Sequence, residues 1–264
     1  MHYFKLIKWL VVLFALQGLV GCSTAAPQPQ PQASFALEEP SINVNDPYES
    51  WNRKVFAFNE GVDAWVLKPI AQGYRFITPK FVRKGVSNFF SNLGEVSNFA
   101  NNLLQFKPLD AGKDLTRFTL NTTIGLVGLF EVATPLFDLQ PSNEDFGQTL
   151  NTWGLPEGPY IVWPLLGGKT LSETVSLPVD YYYLNPVPYV VDQKEIRWGL
   201  TGLQVIELRE SVLDAERLIQ GDRYSFIRDA YLQRRTFLVN DGRLESDPFL
   251  EDDDFDFDAA DFAD

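Results

Sequence analysis

The chain has 264 residues, of which 45% are hydrophobic and 14% aromatic, and its formal net charge is −13. Ten acidic residues and no basic residue lie between positions 245 and 264, which leaves a net charge of −3 for the rest. A mildly acidic body without a basic stripe argues against nucleic acid as a partner.

Residues 1–21 have the pattern of a secretory signal. Lys5 and Lys8 form a short basic region, an apolar stretch follows, and Cys22 comes directly after it. The stretch is too short and wrongly flanked for a membrane span. It resembles a bacterial lipoprotein signal, in which Cys22 becomes the lipid-attached N-terminus, and Ser23 after it indicates delivery to the outer membrane. An ordinary signal peptide with an accidental cysteine is the alternative.

Cleavage of this signal would exclude several kinds of catalytic and metal sites. The single His and the single Met are His2 and Met1, and the single Cys is Cys22. The mature chain would therefore hold no Ser-His-Asp or Cys-His nucleophile, no Cys/His zinc site and no disulfide framework. We predict no catalytic residue, no metal site and no cofactor. Chemistry by carboxylates alone stays open.

Three segments follow the signal. Residues 22–45 begin with the lipidated cysteine and alternate Pro with Gln, a composition that favours an extended tether over a core. Residues 46–243 form the predicted folded body. Residues 244–264 are predicted to be a disordered, self-repelling acidic tail. Because Phe residues lie between the acids, a peptide that docks on a partner is the alternative.

The body opens with a predicted helix. Asp46 suits the N-cap, Pro47 suits the first helical position, and Glu49 suits the third, where it would complete a capping box. Pro69 is predicted to end this helix. The apolar residues between them recur at helical spacing, at positions 55, 58, 62, 65 and 66.

A second predicted helix, over 81–106, has an unusual polar side. Asn, which is a mediocre helix former, dominates that side, whereas a solvated face more often carries Glu and Lys. Two interpretations stay open: a neutral helix surface, or a face that meets a wet cavity or lipid headgroups. The residues are Asn88, Asn92, Asn98, Asn101 and Asn102.

A third helix is predicted to begin at Asp110 as its cap and to extend through Leu120. The sequence after it is almost uncharged as far as Glu131, and Gly125 and Gly128 interrupt it. This segment is too short to span a bilayer. It suits an interfacial hairpin or a re-entrant element, and a glycine-rich core helix is the alternative.

Residues 145–170 hold two short strings that look catalytic. An Asp-Phe-Gly triplet matches a kinase motif and a Gly-Gly-Lys-Thr string matches the end of a P-loop, but the companion motifs of both are missing. Pro and Gly make the stretch irregular backbone. Trp153, Tyr160 and Trp163 within it suit a membrane interface or a channel wall, and a buried turn is the alternative.

Two more helices are predicted near the end of the body. One covers 195–220 and stops at Gly221, and the other covers 224–240. Three consecutive tyrosines at 181–183 precede them and suit a membrane–water boundary. Because no internal repeat and no series of strands stands out, the predicted body is mainly α-helical.

Six blocks of the body resemble the MlaA/VacJ family of outer-membrane lipoproteins. They occur in the family's order and cover most of residues 46–243. The blocks are DPYESWNR (46–53), KPIAQGYR (68–75), GVSNFFSNLGE (85–95), TRFTLNTTIGLVGLFEVA (116–133), DFGQTLNTWGLPEGPYIVWPLLG (145–167) and RDAYLQRR (228–235).

The resemblance implies a mainly α fold. Amphipathic helices with irregular Pro/Gly-rich connections would form a ring that is monotopic in one leaflet of the outer membrane, around an amphipathic channel. Mislocalised phospholipids of the outer leaflet would pass through this channel to a soluble periplasmic carrier and return to the inner membrane. The family also implies association with a trimeric porin. No chemical bond is made or broken, so we predict that the protein is not an enzyme.

Eight residues are candidates for the lipid channel or the interface. Arg75, Arg117 and Arg197 lie near apolar helix faces and are candidates to meet a phosphate, with ion-paired structural roles as the alternative. Two rival functions stay open: a non-transporting scaffold bound to a porin, and a hydrolase with a close carboxylate pair. The eight are Asn88, Asn92, Gly125, Gly128, Trp153, Tyr160, Trp163 and Arg197.

Overall fold

The computed structural model describes residues 46–242. The predicted signal, Cys22, the tether and the acidic tail lie outside these residues. The described body is mainly helical, as predicted. Its elements, in chain order, are α1 (Glu49–Val62), a π-helical turn (Asp63–Leu67), α2 (Lys68–Ile77), α3 (Lys80–Leu104), α4 (Pro108–Thr123), α5 (Ala133–Phe137), α6 (Phe146–Thr152), β1 (Tyr160–Trp163), β2 (Gly167–Thr170), α7 (Leu171–Tyr182), α8 (Val187–Val190), α9 (Lys194–Ser211), a 3-10 turn (Ala215–Leu218) and α10 (Arg223–Val239).

The predicted Asp46 cap is wrong. Helix α1 begins at Glu49 and has no side-chain cap. The carboxylate of Asp46 instead accepts hydrogen bonds from Asn52 Nδ2 (2.7 Å) and from the hydroxyl of Tyr224, and Arg228 lies 3.3 Å away. These partners bury and neutralise the carboxylate, so it joins the start of the body to α10 instead of capping α1.

Pro69 does not end the first helix, contrary to prediction. The backbone N–H of Lys68 bonds to the carbonyl of Asp63, five residues earlier, in the π-helical turn. The helix then continues as α2, in which Pro69 lies at the very start. In a regular α-helix a proline lacks the N–H for the next bond and its ring clashes with the carbonyl four residues earlier. Here the π-helical turn directly before Pro69 changes that spacing, so the helical path continues through the proline.

Helices α3 and α4 form an antiparallel hairpin. The range of α3 agrees with the prediction, but α4 begins at Pro108 instead of being capped by Asp110. Pro108 suits a first helical turn. Asp110 lies within that turn, where its carboxylate accepts a hydrogen bond from Lys113 at 2.7 Å.

The Asn-rich side of α3 is largely interior, so neither interpretation of it was correct. Asn92, Asn101 and Asn102 are at most 3% exposed. Asn102 donates to Asp114 of α4 at 2.7 Å, and Asn98 donates to a carbonyl of the loop before α6 at 2.9 Å. Because the neighbouring helix and loops offer polar partners, carboxamides form a hydrogen-bonded seam inside the body.

Strands β1 and β2 form an antiparallel hairpin that the sequence did not predict. Tyr160 pairs with Thr170 and Trp163 with Gly167. The turn between the strands places Leu165 at φ 63° and Gly167 at φ 78°. The strands have only four residues each, and such short runs between turn residues carry a weak strand signal.

Helix α9 ends at Ser211, ten residues before the predicted stop at Gly221. Arg75 of α2 donates to the main-chain carbonyl of Glu210 at 2.8 Å. The backbone amide of Leu213 also bonds to this carbonyl, at 3.2 Å, so the end of α9 is closed by a tight turn and by a side chain distant in sequence. Helix α10 agrees with its prediction. Within residues 46–242, no helix combines the length and the apolar character that crossing a membrane requires.

The interior of residues 46–242 is dominated by polar side chains. Eighteen buried residues are polar or charged, and eight are apolar or Tyr. The apolar cluster consists of Val55, Tyr160, Val162 and Tyr224. By contrast, 41 large hydrophobic residues are exposed. Apolar residues are normally the ones most often buried in a protein surrounded by water, so this reversed distribution indicates apolar surroundings.

Candidate functional site

One exposed apolar stripe runs along α1, the π-helical turn and α2. Trp51, Phe58 and Trp65 recur at every seventh residue and are 54%, 55% and 87% exposed. Trp51 and Phe58, seven residues apart within α1, lie on the same face of that helix, and Trp65 and Ile70 continue the row of exposed apolar residues into the π-helical turn and α2. A stripe of this kind is typical of helices that lie in a membrane interface.

A second exposed apolar surface is the loop between α4 and α5, residues 124–130, called the apolar loop below. Leu126 and Val127 at its tip have φ values of 53° and 59°, a left-handed conformation that bulky and β-branched residues rarely adopt. The backbone therefore holds these side chains outward at a cost in strain. The exposed residues are Ile124, Leu126, Val127, Leu129 and Phe130.

Three asparagine side chains hold the base of the apolar loop. Asn88 Nδ2 donates to the carbonyl of Leu129 at 3.0 Å, and Asn92 Nδ2 donates to Thr122 Oγ1 at 2.9 Å. Asn121 Oδ1 accepts from the two backbone amides that lead into α5, at 2.8 and 3.1 Å. Asn92 is therefore buried beneath the loop. The prediction that it faces a lumen or lipid headgroups differs from this position. Asn88 is half-buried at its edge.

Gly125 and Gly128 are buried within this loop, and both permit close approach. A Cβ on Gly125 would clash with the carbonyl oxygen of Phe130, and a Cβ on Gly128 would lie 2.7 Å from the side chain of Asn92. Gly128 also has φ 85°, which favours glycine. These glycines shape the loop, and the prediction that they themselves line an open channel mouth is wrong.

A third exposed surface, residues 181–198, is rich in aromatic side chains. Trp198 is 71% exposed and follows Arg197, which is half-buried in the first turns of α9. Arg197 makes no side-chain hydrogen bond or ion pair with any residue in the part of the chain that the structure describes. It stays a candidate for a phosphate contact. The exposed aromatic residues are Tyr181, Tyr182, Tyr183, Tyr189 and Trp198.

Two asparagines of α1 hold the hairpin. Asn52 bonds to the carbonyl of Tyr160 and to the amide of Val162 at 3.1 and 2.8 Å. Asn59 bonds in the same way to Trp163 and to the amide of the turn that follows, at 3.0 and 2.8 Å. The sequence reasoning missed this pair. Its only signal was two Asn residues seven positions apart, on one face of a helix.

The three aromatic candidates in and before the hairpin differ in how far their side chains are exposed. Tyr160 is 2% exposed, and burial raises its pKa to about 12. It lies in the core, so its interfacial assignment was wrong. Trp163 is half-buried and donates its indole N–H to Thr174 Oγ1 at 3.0 Å. Trp153 is 52% exposed, with its N–H bonded to the carbonyl of Leu104 at 3.0 Å, and it fits the predicted interface.

The Asp-Phe-Gly triplet is structural. Asp145 caps α6 by accepting from the amide of Gln148 at 2.9 Å, and Arg235 of α10 donates to it at 2.5 Å. Arg235 also donates to Glu157 at 2.8 Å, which ties the segment before β1 to α10. Burial alone would raise the pKa of Asp145, but the bond and charge of Arg235 outweigh it and hold the pKa below its usual value.

Two of the three candidate arginines form ion pairs with carboxylates. Arg117 is 3% exposed and bonds to Glu95 at 2.6 Å. Arg75 bonds to Glu210 at 2.6 Å and to Asp214 at 2.9 Å. The sequence left two roles open for these arginines, a phosphate contact or a structural ion pair, and for Arg75 and Arg117 the structure shows the ion pair.

Adjacent carboxylates of Glu144 and Asp145 line a cavity of about 220 Å³. Glu144 accepts from Gln105 at 2.8 Å and lies 3.8 Å from Lys107, while burial raises its pKa. Since each carboxylate has its own structural partner, the pair gives no specific support to a hydrolase. Among residues 46–242, no group of three or more His, Cys, Asp or Glu side chains is placed to hold a metal ion.

Comparison with known proteins identifies the family. The family model described as "MlaA lipoprotein" matches residues 44–238. This chain belongs to the MlaA lipoprotein family. A relative in Haemophilus influenzae, named intermembrane phospholipid transport system lipoprotein MlaA, is 36% identical over 79% of this chain and 85% of its own length. The relative of the same name in Escherichia coli K12 is 32% identical over 86% of both chains.

A solved structure gives the same assignment at the level of the fold. It is described as "Structural basis for maintenance of bacterial outer membrane lipid asymmetry". It is 34% identical, has a TM-score of 0.64, and covers 74% of this chain and 99% of its own. An uncharacterised protein of Rickettsia typhi, 34% identical over 75% of this chain, is another similar sequence. The mainly helical body of this chain therefore has the architecture of the MlaA family.

Proposed function

We propose that this protein moves phospholipids between the membranes of a bacterial envelope and so maintains outer-membrane lipid asymmetry. The reversed burial pattern carries the proposal: 18 buried polar residues against 8 buried apolar ones, with 41 large hydrophobic side chains outside. The two relatives named for intermembrane phospholipid transport supply the cargo class.

Such a body is stable in one leaflet of a membrane. Burial of apolar surface contributes about 25 cal/mol per Å², and the exposed stripe that begins at Trp51 offers several large side chains for it. Lipidation at Cys22 would add a second attachment, because one acyl anchor alone gives marginal binding. In this proposal the protein is attached to the outer membrane, and its folded body lies on the periplasmic side.

Passage of a headgroup requires polar contacts that do not trap it. Arg75 and Arg117 are neutralised by carboxylates, so they would not hold a phosphate tightly. Of the three candidate arginines, Arg197 is the one that does not pair with a carboxylate in the described part of the chain, and it is the candidate for a transient contact. The proposal includes an amphipathic channel, a trimeric porin that holds the protein in place, and a soluble periplasmic carrier that accepts the lipid. These partners come from the family resemblance.

Outer-leaflet phospholipid in a deletion strain tests the proposal. We expect it to rise in the deletion strain, to return to the parental level with the wild-type gene, and to stay high with Cys22→Ala. The purified lipoprotein in vesicles should also speed transfer of a fluorescent phospholipid to acceptor vesicles. Unchanged outer-leaflet phospholipid would contradict the proposal. Restored asymmetry without lipid transfer would favour the scaffold function instead.

A further inference from the structure

Glu207 of α9 is a buried carboxylate without a protein partner. It is 5% exposed, and among residues 46–242 no group donates a hydrogen bond to it or forms an ion pair with it. A buried charge is costly unless it is paired and hydrogen-bonded. Proteins break this rule mainly at functional sites, so the carboxylate indicates a ligand that the described chain does not itself supply.

Glu210, three residues further along α9, shows the usual arrangement of a buried acid. Its carboxylate accepts from Arg75 Nε at 2.6 Å and lies 3.2 Å from Arg83 Nε. Residues three apart are neighbours on a helix surface, so Glu207 lies beside this group. Arg83 also donates to the carbonyls of Arg75 and Thr78, at 3.0 and 2.8 Å. The two arginines therefore already have partners, and Glu207 is left without a cation.

The hydroxyl of Tyr74, on α2, is a second group without a partner. Its oxygen is buried and makes no hydrogen bond within the described residues. Burial raises the pKa of Tyr74, the negative charges of Glu207 and Glu210 raise it further, and Arg83 lowers it. The hydroxyl therefore lies within electrostatic range of the unpaired carboxylate. Helix α9 packs against α2, which brings the two groups together.

A primary ammonium group matches the chemistry of these two acceptors. It has three N–H donors and no acceptor, whereas a carboxylate accepts and a phenol oxygen can accept. Its positive charge makes the hydrogen bond to a carboxylate a strong, charge-assisted one. A phosphate would be repelled by Glu207. Because Glu207 is 5% exposed, the bulkier trimethylammonium group of choline fits less well.

We propose that Glu207 and Tyr74 form a binding site for the primary ammonium group of a phospholipid headgroup, the ethanolamine of phosphatidylethanolamine. Glu207 neutralises the ammonium charge, and the Tyr74 oxygen accepts one of its N–H donors. A single ammonium contact distinguishes this headgroup from the glycerol of phosphatidylglycerol and still lets the lipid leave. The inference rests on the proposed function, because lipid transport supplies the cargo.

Thermal unfolding of the full lipoprotein in detergent micelles tests the site. Phosphatidylethanolamine should raise the midpoint of the wild type by about 3 °C or more, and phosphatidylglycerol should leave it unchanged. Glu207→Gln should abolish the shift, and Tyr74→Phe should reduce it. Without lipid, Glu207→Gln should unfold at the wild-type midpoint or above it, because it removes a buried charge and breaks no bond. Glu195→Gln, at an exposed position of α9, is the matched control and should keep the shift.

Four outcomes would overturn the site. Two are equal shifts with both lipids, and a shift that Glu207→Gln retains. The third is a Glu207→Gln protein that unfolds before the wild type without lipid, because the carboxylate would then be structural. The fourth is a shift with putrescine, a soluble diamine, as large as that with phosphatidylethanolamine, because the site would then bind free amines.

Transfer between vesicles separates this inference from the proposed function. Wild type should move fluorescent phosphatidylethanolamine faster than fluorescent phosphatidylglycerol, and Glu207→Gln should move the two lipids at equal rates. If neither lipid moves while the thermal shift and its loss in Glu207→Gln are observed, the proposed function fails and the ammonium site stands. If both lipids move at equal rates in the wild type and no thermal shift is observed, the site fails and the proposed function stands.

Discussion

Asn52 of α1 bonds to the two backbone groups that flank Ile161 in strand β1: its Nδ2 donates to the carbonyl of Tyr160 at 3.1 Å, and its Oδ1 accepts from the amide of Val162 at 2.8 Å. The carboxamide takes the place that a third strand would occupy. Asn52 and Val162 are at most 1% exposed, so water cannot replace these bonds. Asn52 therefore joins the hairpin to α1 by two buried hydrogen bonds.

Asn52→Ala should lower the free energy of unfolding by roughly 2–5 kcal/mol, because it leaves two buried backbone groups without partners. Chemical unfolding in detergent measures this. Asn59→Ala is the matched control, since Asn59 makes the same two kinds of bond but is half-buried and water can replace them. We expect a loss of about 1 kcal/mol or less there. Equal losses at both positions would refute the role given to burial.

Arg117→Met should destabilise the body by about 3–5 kcal/mol, because it leaves the carboxylate of Glu95 buried without its cation. The two side chains are 4% and 2% exposed. The double variant Arg117→Met with Glu95→Gln removes both charges and should recover part of the loss. Urea unfolding of the two variants gives the comparison. A double variant less stable than Arg117→Met alone would show that the charge of Glu95 is not the cause.

Helices with strong periodicity were predictable from the sequence, and contacts between distant residues were not. The ranges of α3 and α10 follow from apolar residues at steps of three and four. Asp46 looks like a helix cap locally, but its partners Tyr224 and Arg228 are far along the chain. Likewise α9 ends where Arg75 meets Glu210, and no local breaker marks that point.

The same limit applies to the candidate site. The sequence left open whether Trp153 faces outward or inward, and it showed that the segment around Gly125 is almost uncharged. It could not show that Tyr160 lies in the core or that Asn92 lies under the loop, because burial depends on which element packs against which face. An Asn-rich helix face has the same sequence whether it meets water, headgroups or a polar seam. The elements packed against it, α4, α6 and the loop before α6, decide between them.

Gly128→Ala should destabilise the apolar loop through both sterics and backbone strain. The added Cβ would lie 2.7 Å from Asn92, and the residue has φ 85°. We expect a loss of roughly 2–4 kcal/mol, the sum of about 1 kcal/mol or more for the left-handed backbone and 1–3 kcal/mol for overpacking. Thermal unfolding measures the loss, and outer-leaflet phospholipid in the variant strain should rise with it.

Gly154→Ala is the control for Gly128→Ala. Gly154 has φ 95°, and a Cβ there would meet nothing within 4 Å. It therefore isolates the backbone strain, for which we expect about 1 kcal/mol or somewhat more. If the two variants lose the same stability, the contact between Gly128 and Asn92 does not constrain the loop.

Asp145→Asn should cost about 2–3 kcal/mol at pH 7, because it replaces a charged hydrogen bond to Arg235 by a neutral one. Arg235 holds the pKa of Asp145 below its usual value despite burial, so the folded state binds this proton less readily than the unfolded state. The stabilisation is therefore complete above the unfolded pKa of about 4 and is lost as the pH falls through the folded pKa. Unfolding at pH 7, 5 and 3 should show a constant difference between wild type and variant at the two higher values and a smaller one at pH 3. A difference that grows on acidification would mean that the pKa of Asp145 is raised in the folded protein and that burial outweighs the arginine.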